Sequence, residues 1–374
     1  MGPLAGVKII EFAGIGPAPL AATLLADMGA TVLRIDRAAP ADLGVPLAEE
    51  HDFTRRSRAV LRLDLKKPDA IAFVLRLIDG SDALIEGFRP GVMERLGLGP
   101  EVCLKRNPKL AYGRVTGWGQ DGPLSQAAGH DLNYIALTGA LHAIGRAGQK
   151  PTPPLNLVGD YGGGALYIVT GLLAAIISAR ATGAGQVVDA AMVDGALSLM
   201  TPIYAMAAAG RMPGGRGENQ LDSGAHYYEV YECADGQFIS IAPIEEKFYE
   251  EFLRRMEIDP QGMPAQRDRA GWAAWKQVLT ERFRTRTRDE WCRILEGTDA
   301  CFAPVLSMQE AHAHPHNQAR QAFIEVGGHL QPAPAPRFGG TSLAQPRPPG
   351  AVSVQEALAA WGISGAEAEA LARV

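Results

Sequence analysis

One segment constrains the fold more than any other: residues 7–36 form a complete strand–helix–strand pattern. An apolar run up to Phe12 meets a glycine turn, a helix-periodic stretch follows, and a second apolar run ends at Asp36. Two strands joined through a helix run parallel, with a right-handed crossover. Because strand and helix patterns keep alternating to about residue 200, the sequence predicts a doubly wound α/β domain.

Proline and glycine mark the limits of further elements in this domain. We expect strands over 59–65, 82–86 and 110–115, and a helix that begins at Lys67-Pro68. A later apolar stretch is predicted to be a strand that stops at Asp160, where a helix over 161–179 begins. Asp160 is then expected to lie at the N-cap of that helix.

A change in composition predicts a second domain. Residues 208–225 are rich in glycine and polar residues, as linkers are. Two β-type runs joined at Asp235-Gly236 follow, and they predict an antiparallel hairpin. The expected organisation is a large α/β domain over 1–205, a linker over 206–225, a small α+β domain over 226–328, and a Pro-rich return with C-terminal helices over 329–374 that dock on the large domain.

Charge and cysteine content exclude several classes of function. The net charge is −5, so neither a general nucleic-acid binder nor a polybasic membrane protein is expected. The four cysteines show no paired spacing, which indicates a reducing, cytoplasmic setting. The uncharged stretch 161–179 contains four glycines and is predicted to be a buried core helix instead of a membrane span. The N-terminus lacks the pattern of a secretory signal.

The glycine turn GIGPAP at 14–19 resembles a shortened dinucleotide-binding motif. It follows a strand and opens a helix, and Asp36 lies about 20 residues further on, as in that motif. The third glycine of the motif is missing. A turn that closes one α/β unit is therefore favoured over NAD binding.

Basic residues gather near the ends of the predicted strands. Arg37 follows the second strand, and Arg89 and Arg95 lie on the loop after a later one. Six more basic residues fall within 13 positions: Arg55, Arg56, Arg58, Arg62, Lys66 and Lys67. Any one of them alone is compatible with a solvated face. As a set in an acidic protein they indicate a polyphosphate site, such as one for the adenosine phosphates of CoA.

Three residues stand out as candidate acid–base groups, each with a structural alternative. His130 lies in the polar segment GHDLNY, although isolated histidines are commonly structural. Asp160 precedes the glycines at 162–164, and the expected helix start there offers backbone N–H groups to an oxyanion or enolate. Glu245 follows the second hairpin strand, with Glu246 as its alternative, and a first-turn glutamate commonly interacts only with the helix dipole.

The histidine-rich segment HAHPH at 312–316 invites a metal site. Pro315 interrupts any helical i, i+4 pair, and no cysteine or carboxylate lies at a metal-ligand spacing from it. No metal is expected.

Taken together, these motifs resemble those of the family III (CaiB/BaiF-type) CoA-transferase superfamily, and within it the racemases. The resemblance rests on the segments LAGVKIIEFAGIGPAP, LLADMGATVLRIDR, IEGFRPGVMERLGLGP, TGWGQDGP, GHDLNYIALTG, LVGDYGGG, GQVVDAAMVDG and YYEVYECADGQF. It runs nearly from end to end of the chain.

The resemblance implies a large Rossmann-like domain joined by two linkers to a small domain, in an interlocked homodimer. Each active site is then shared between the large domain of one chain and the small domain of the other. His130 and Asp160 match the two acid–base residues, and Glu245 matches a carboxylate that partners the histidine. The implied CoA contacts are Arg37, Leu63, Asp64, Leu65, Lys66, Gly87, Phe88, Arg89, Arg95, Gly129, Asp131, Leu132, Asn133 and Tyr134.

The implied activity is that of an isomerase, which interconverts (2R)- and (2S)-2-methylacyl-CoA by 1,1-proton transfer through an enolate. The resemblance implies no metal and no NAD. CoA is part of the substrate and is therefore not counted as a cofactor. The alternative is a CoA transferase in which Asp160 is the acyl-accepting nucleophile; His130 favours the racemase, since the transferases lack a histidine there. An NAD(P)-dependent oxidoreductase and a non-catalytic CoA-binding protein are less favoured.

Overall fold

The computed structural model describes residues 2–38, 44–45, 47–364 and 366. The chain forms two compact units, which are described one at a time. The first comprises 1–138, 155–200 and 321–374, and the second comprises 139–154 and 201–320. Residues 139–154 group with the second unit, although no change of composition marks them in the sequence.

The regular elements are numbered in chain order. The strands are β1 Lys8–Phe12, β2 Thr31–Arg37, β3 Ala59–Leu63, β4 Ala83–Glu86, β5 Ala111–Thr116, β6 Gln186–Ala191, β7 Glu229–Glu232, β8 Phe238–Ile241, β9 Phe302–Pro304, β10 Phe323–Val326 and β11 His329–Pro332. The α-helices are α1 Pro17–Asp27, α2 Pro68–Asp79, α3 Val92–Arg95, α4 Pro100–Arg106, α5 Asp131–Ala136, α6 Ala140–Ala143, α7 Leu166–Thr182, α8 Met192–Leu199, α9 Thr201–Ala208, α10 Glu246–Arg255, α11 Trp272–Phe283, α12 Arg288–Leu295, α13 Met308–Ala311, α14 Pro315–Ala319 and α15 Val354–Ala359.

The first unit is built on a six-stranded parallel sheet in the order β3-β2-β1-β4-β5-β6. Successive side chains of β1 point to opposite faces of this sheet. Ile9 is buried in the core that includes α1 and α7, and Ile10 in the core that includes α2 and α15. The predicted doubly wound α/β domain is therefore confirmed. The strand order reverses direction between β1 and β4, where such sheets bind their ligands.

The long apolar helix lies inside this unit. Leu157–Thr182 is long and apolar enough to cross a membrane by length and composition, yet half of its most apolar stretch is buried in the fold. Ile168 and Leu172 pack into the core formed with β5, as predicted for a core helix.

The start of that helix differs from the prediction. Residues 157–165 form a π-helix that runs directly into α7, and no strand stops at Asp160. Asp160 therefore lies within a helical turn instead of at an N-cap. The wide turn fits here because glycines bring backbones together: a Cβ on Gly163 would lie 2.7 Å from the amide nitrogen of Ala196. Sequence patterning does not register such contacts between distant segments.

The second unit contains the antiparallel sheet β7-β8-β9. The predicted hairpin at Asp235-Gly236 is β7-β8, and the third strand, β9, is only three residues long and was not anticipated. Helices α10, α11 and α12 follow, as expected for an α+β domain, and their core is aromatic, with Trp275, Phe283 and Trp291 buried.

The C-terminal part of the chain returns to the first unit. Hairpin β10-β11 precedes the Pro-rich stretch, and α15 then packs against β2 and β3 with Leu358 fully buried. The last part of the segment 329–374, in which C-terminal helices are predicted, lies mostly outside the described residues after 364.

A buried ionic cluster joins the first three strands. The Glu11 carboxylate in β1 is fully buried and accepts hydrogen bonds from Arg34 in β2, at 2.7 Å, and from Arg58, just before β3. Burial in this apolar layer lowers the pKa of Arg58, and the charge of Glu11 acts in the opposite direction. Removing one member of such a cluster leaves an uncompensated buried charge.

We predict that Glu11→Ala lowers the free energy of unfolding by about 3–5 kcal/mol, because two buried guanidinium groups lose their anion. Urea unfolding followed by circular dichroism measures the change. The matched control is Asp79→Ala, which removes the partner of Arg106. The side chains of this ion pair are each about 40% exposed, so the substitution is expected to change the free energy of unfolding by about 0–1 kcal/mol. Equal losses in the two variants would contradict the importance assigned to the buried cluster.

Candidate active site

A cleft of about 980 Å³ opens at the carboxyl ends of β1 and β2. It lies where ligands bind on open parallel sheets. Its lining brings together two of the three predicted acid–base residues, His130 and Asp160, with the predicted cation Arg37. The other lining residues are Ala13, Gly14, Ile15, Gly16, Pro19, Arg34, Asp36, Ala38, Gly44, Val45, Leu47, Asp52, Thr54, Arg55, Arg62, Asn156 and Tyr161.

The glycine turn after β1 forms one wall of this cleft beside Asp160. Gly16 has φ +68°, a conformation that side-chain-bearing residues rarely adopt. A Cβ at this position would also lie 3.0 Å from Oδ2 of Asp160. The turn therefore requires glycine for its backbone angle and for its closeness to the carboxyl group.

Two neighbours fix Asp160. Its backbone N–H donates to Oδ2 of Asp131 at 2.7 Å, and Nδ2 of Asn156 donates to Oδ2 of Asp160 at 3.2 Å. The expectation that a helix start at Asp160 leaves its N–H open for an oxyanion is therefore wrong, because that N–H already has an acceptor.

The surroundings of Asp160 favour its protonated form. Burial is the largest influence and raises the pKa of this carboxyl group, and the negative charge of Asp131 adds to the rise. The hydrogen bond from Asn156 and the charge of His130 act in the opposite direction but do not cancel it. Asp160 thus holds a proton more readily than an ordinary aspartate does.

His130 stands at the N-cap of α5 with an exposed side chain at the cleft. Its backbone N–H donates to Oδ1 of Asn133 at 3.1 Å. The Tyr134 hydroxyl donates to the carbonyl of Gly129, and its ring packs edge-on against Trp118. These contacts stabilise the backbone that carries His130.

The basic cluster divides into two groups. Arg37 and Arg62 are exposed and line the cleft, as does Arg55. Arg56 and Arg58 are buried instead, where they pair with Asp27 and Glu11 and are not available to a phosphate. Arg34 also lines the cleft and was not among the predicted residues, because it lies within the apolar run of β2.

The other predicted CoA contacts on β3 and after β4 do not line the cleft. Leu63 is buried in the core, Leu65 packs against it, and Oδ1 of Asp64 accepts from the backbone N–H of Lys66 at 3.1 Å. Gly87, Arg89 and Arg95 are exposed, Phe88 is half-buried, and Leu132 is exposed on α5. Their contacts with a ligand remain predictions.

A second buried carboxylate lies at the end of β4, next to Gly87. Glu86 is fully buried; it accepts from the backbone N–H of Phe88 and from Nε of Arg114, both at 2.8 Å. Burial nevertheless raises its pKa to about 7. Arg114 also binds Glu94. Partial burial acts to raise the pKa of Glu94, but the hydrogen bonds to this carboxyl group and the charge of Arg114 together outweigh it, so this pKa is lowered.

The third predicted acid–base residue, Glu245, belongs to the second unit. It is exposed and lies at the N-cap of α10. Burial raises the pKa of Cys301 in the same unit, and the charge of Glu245 adds to the rise, so the two side chains are near each other. Its partnership with a histidine remains a prediction.

Neither the HAHPH segment nor any other group forms a metal centre in the described part of the chain. His314 pairs with Glu296 at 2.8 Å, and no three His, Cys, Asp or Glu side chains converge among the described residues.

Comparison with known proteins shows which family has this architecture. The model of the CoA-transferase family III matches residues 4–351. Alpha-methylacyl-CoA racemases of mouse and human are 42% and 40% identical, each over 89% of this chain and 86% of its own length. Succinyl-CoA–L-malate CoA-transferase alpha subunit of Chloroflexus aurantiacus is 30% identical, over 87% of this chain and 80% of its own length. A crystal structure of a CaiB/BaiF family protein from Brucella suis superposes with a TM-score of 0.81 at 23% identity, covering 96% of this chain and 98% of that chain, and confirms the fold.

We predict that Glu86→Gln changes how stability depends on pH. The folded-state pKa of about 7 exceeds the ordinary 4.5, so protonated Glu86 stabilises the fold at low pH, and this contribution is lost as pH rises towards 7. The stability difference between wild type and Glu86→Gln should therefore fall by roughly 2–3 kcal/mol between about pH 5 and pH 8. Urea unfolding at both pH values measures it.

The matched control is Glu94→Gln, on the same arginine. Because the pKa of Glu94 is lowered, its titration lies below this range and the stability difference should stay constant across it. A constant difference for Glu86→Gln as well would show that Glu86 remains ionised throughout.

Proposed function

The chain belongs to CoA-transferase family III, and from that premise we propose that it is a racemase that interconverts (2R)- and (2S)-2-methylacyl-CoA thioesters. One observation carries the proposal: two proton-carrying side chains, His130 and Asp160, line the same cleft. The identity to relatives named alpha-methylacyl-CoA racemase supports the same reaction.

The chemistry requires two bases on opposite sides of one carbon. One base removes the proton next to the thioester carbonyl, and the electron pair of the broken C–H bond moves into an enolate. The other group then returns a proton to the opposite face, which inverts the centre. His130 and Asp160 exchange these roles in the two directions, so the reaction needs neither a metal nor NAD.

The electrostatics of the cleft suit this exchange. At the start of each turnover one group must carry a proton and the other must lack one. Burial and the charge of Asp131 raise the pKa of Asp160, which brings this carboxyl group closer to the range in which an imidazole titrates. A carboxyl group that holds its proton more readily can donate it to the enolate in one direction and, once ionised, can accept a proton in the other.

The cations of the cleft provide for the CoA part of the substrate. Arg37 and Arg62 are exposed at its edge, and guanidinium groups bind phosphates through paired hydrogen bonds. We assign the adenosine phosphates of CoA to them, with the Leu63–Lys66 turn, the Gly87–Arg89 loop, Arg95 and the Gly129–Tyr134 loop as further contacts.

A CoA transferase is the alternative, and relatives with that name support it. In that reaction an Asp160 oxygen attacks the thioester carbon, the C–S bond breaks, and a mixed anhydride and CoA thiolate form. Such a nucleophile must be ionised, and burial raises the pKa of Asp160, which opposes ionisation. The proton-transfer role fits this environment better.

A homodimer is part of the proposal. Helix α5, the π-helix and α8 pack together and leave apolar side chains exposed, which we call the leucine patch. It consists of Leu132, Leu137, Leu155, Leu157, Leu166, Leu197 and Leu199. Exposed apolar side chains on or beside elements that pack together are typical of an interface. A second copy of the chain would cover it and, as the family resemblance implies, bring Glu245 of the partner subunit to His130. The four cysteines, none in a disulfide, suit the proposed cytoplasmic location.

The proposed reaction predicts exchange of the α-proton. Wild-type protein in D₂O with one epimer of a 2-methylacyl-CoA should replace that proton by deuterium and form the other epimer, as NMR will show. His130→Ala removes one base, so exchange should fall at least about 100-fold, with CoA binding by calorimetry unchanged.

His142→Ala is the matched control, since this exposed histidine also lies on a short helix and does not line the cleft. It should keep wild-type exchange. Undiminished exchange in His130→Ala would reject His130 as a base. An α-proton that persists in wild type, with a new acyl-CoA formed on adding a free carboxylic acid, would establish the transferase instead.

The leucine patch predicts a dimer of about twice 39.8 kDa by light scattering at micromolar protein concentration. Leu166→Glu combined with Leu199→Glu places charges in the patch and should shift the mass to that of one chain. Val102→Glu, at an exposed apolar position on α4, should leave the mass unchanged. A wild-type chain that is monomeric would reject the proposed assembly.

A further inference from the structure

Asp131 is buried between the two proposed acid–base residues. It follows His130 directly, as the first residue of α5, and only 6% of it is exposed. Its Oδ2 accepts the backbone N–H of Asp160 at 2.7 Å. Its Oδ1 is buried and has no hydrogen-bond partner among the described residues. An anion buried with one unpaired oxygen is unfavourable for stability, which calls for a functional explanation.

The backbone at residue 159 leaves room for the carboxylate of Asp131. A Cβ on Gly159 would lie 2.5 Å from Oδ2 of Asp131, closer than any side chain tolerates. Only glycine at 159 lets the Asp160 amide approach Asp131. The contact therefore depends on two segments, 130–131 and 159–160, that each carry one proposed base.

From this geometry we propose that Asp131 is a positioning residue, which fixes Asp160 relative to His130 and holds the exchangeable proton on Asp160 by repulsion between the two carboxylates. This rests on the proposed racemase function and gives Asp131 a role different from the CoA contact implied by the family resemblance. It acts through Asp160 and does not itself touch the reacting carbon.

Other charged groups also lie near Asp160, because the cleft that it lines contains Arg34, Arg37, Arg55, Arg62, Asp36 and Asp52. On α5, His130 opposes the effect of Asp131, and Tyr134 also senses the charge of Asp160. The charged residues of α1 and α7 lie at the far ends of those helices, where Asp27 pairs with Arg56 and Arg180 with Asp82. On α8, Asp194 acts on Asp189. Among these groups, Asp131 is the anion whose charge raises the pKa of Asp160.

The test is Asp131→Asn, which keeps an oxygen acceptor of the same shape and removes the charge. The rate of α-proton exchange depends on pH through the titration of Asp160. In Asp131→Asn this part of the pH profile should move to lower pH by about 1 unit, because the negative charge of Asp131 next to Asp160 is lost. Exchange near neutral pH should fall about tenfold, because less of Asp160 carries the proton. A purely structural residue would lower the rate without moving the profile.

A second variant disturbs the same contact from the other side. Gly159→Ala pushes the carboxylate away from the Asp160 amide, and exchange should fall about 100-fold, as for small displacements of reacting groups. Asp69→Asn is the control, an exposed first-turn aspartate of α2, and should behave as wild type.

A direct titration separates this proposal from the proposed function. Carboxyl-¹³C NMR of aspartate-labelled protein, with the Asp160 signal assigned through Asp160→Asn, reports the protonation of Asp160 without any turnover. A lower midpoint in Asp131→Asn than in wild type supports the proposal even if the chain proves to be a transferase. An unchanged midpoint together with an unchanged pH profile overturns it, whatever the reaction.

Discussion

The cleft depends on the ion pairs that the buried carboxylate of Glu11 forms. This carboxylate lies fully buried on the central strand β1 and binds guanidinium groups from β2 and from the start of β3, so three neighbouring strands share one ionic cluster. Because a buried charge must be paired, this cluster fixes the position of the Arg34 side chain, and Arg34 also lines the cleft. Glu86 on β4 repeats the arrangement with Arg114. Both carboxylates flank the point where the strand order reverses.

Close backbone approach supplies the second constraint. Gly16 turns beside the carboxyl group of Asp160, Gly159 admits Asp131, and Gly163 packs against α8. With a side chain at any of these positions the segments would separate, and the buried surroundings that raise the pKa of Asp160 would open to water. The π-helix is the backbone form that these contacts permit. The proton affinity of Asp160 thus follows from packing around it as much as from its own chemistry.

Sequence reasoning succeeded where the signal was local. Apolar periodicity and the punctuation at Pro68 and Asp235-Gly236 gave the parallel sheet and the hairpin, because each pattern lies within one segment. It failed where contacts join distant segments. Arg56 and Arg58 look like Arg62 in the sequence, yet their burial depends on Asp27 and Glu11, 29 and 47 residues away. The bond from Asp160 to Asp131 spans 29 residues and leaves no pattern along the chain.

The same burial that makes Asp160 a suitable proton carrier makes it a poorer nucleophile. A carboxylate that attacks a thioester must be ionised, so an environment that stabilises the charge favours acyl transfer. An environment that withdraws water and adds the negative charge of Asp131 favours the protonated acid, and with it proton return to an enolate. Within one fold and with one aspartate, the choice between the two reactions then depends on the neighbours of that aspartate. In this chain the buried Asp131 raises the pKa of Asp160 and so favours proton transfer, whereas the charge of His130 lowers that pKa and His130 contributes instead as the second base.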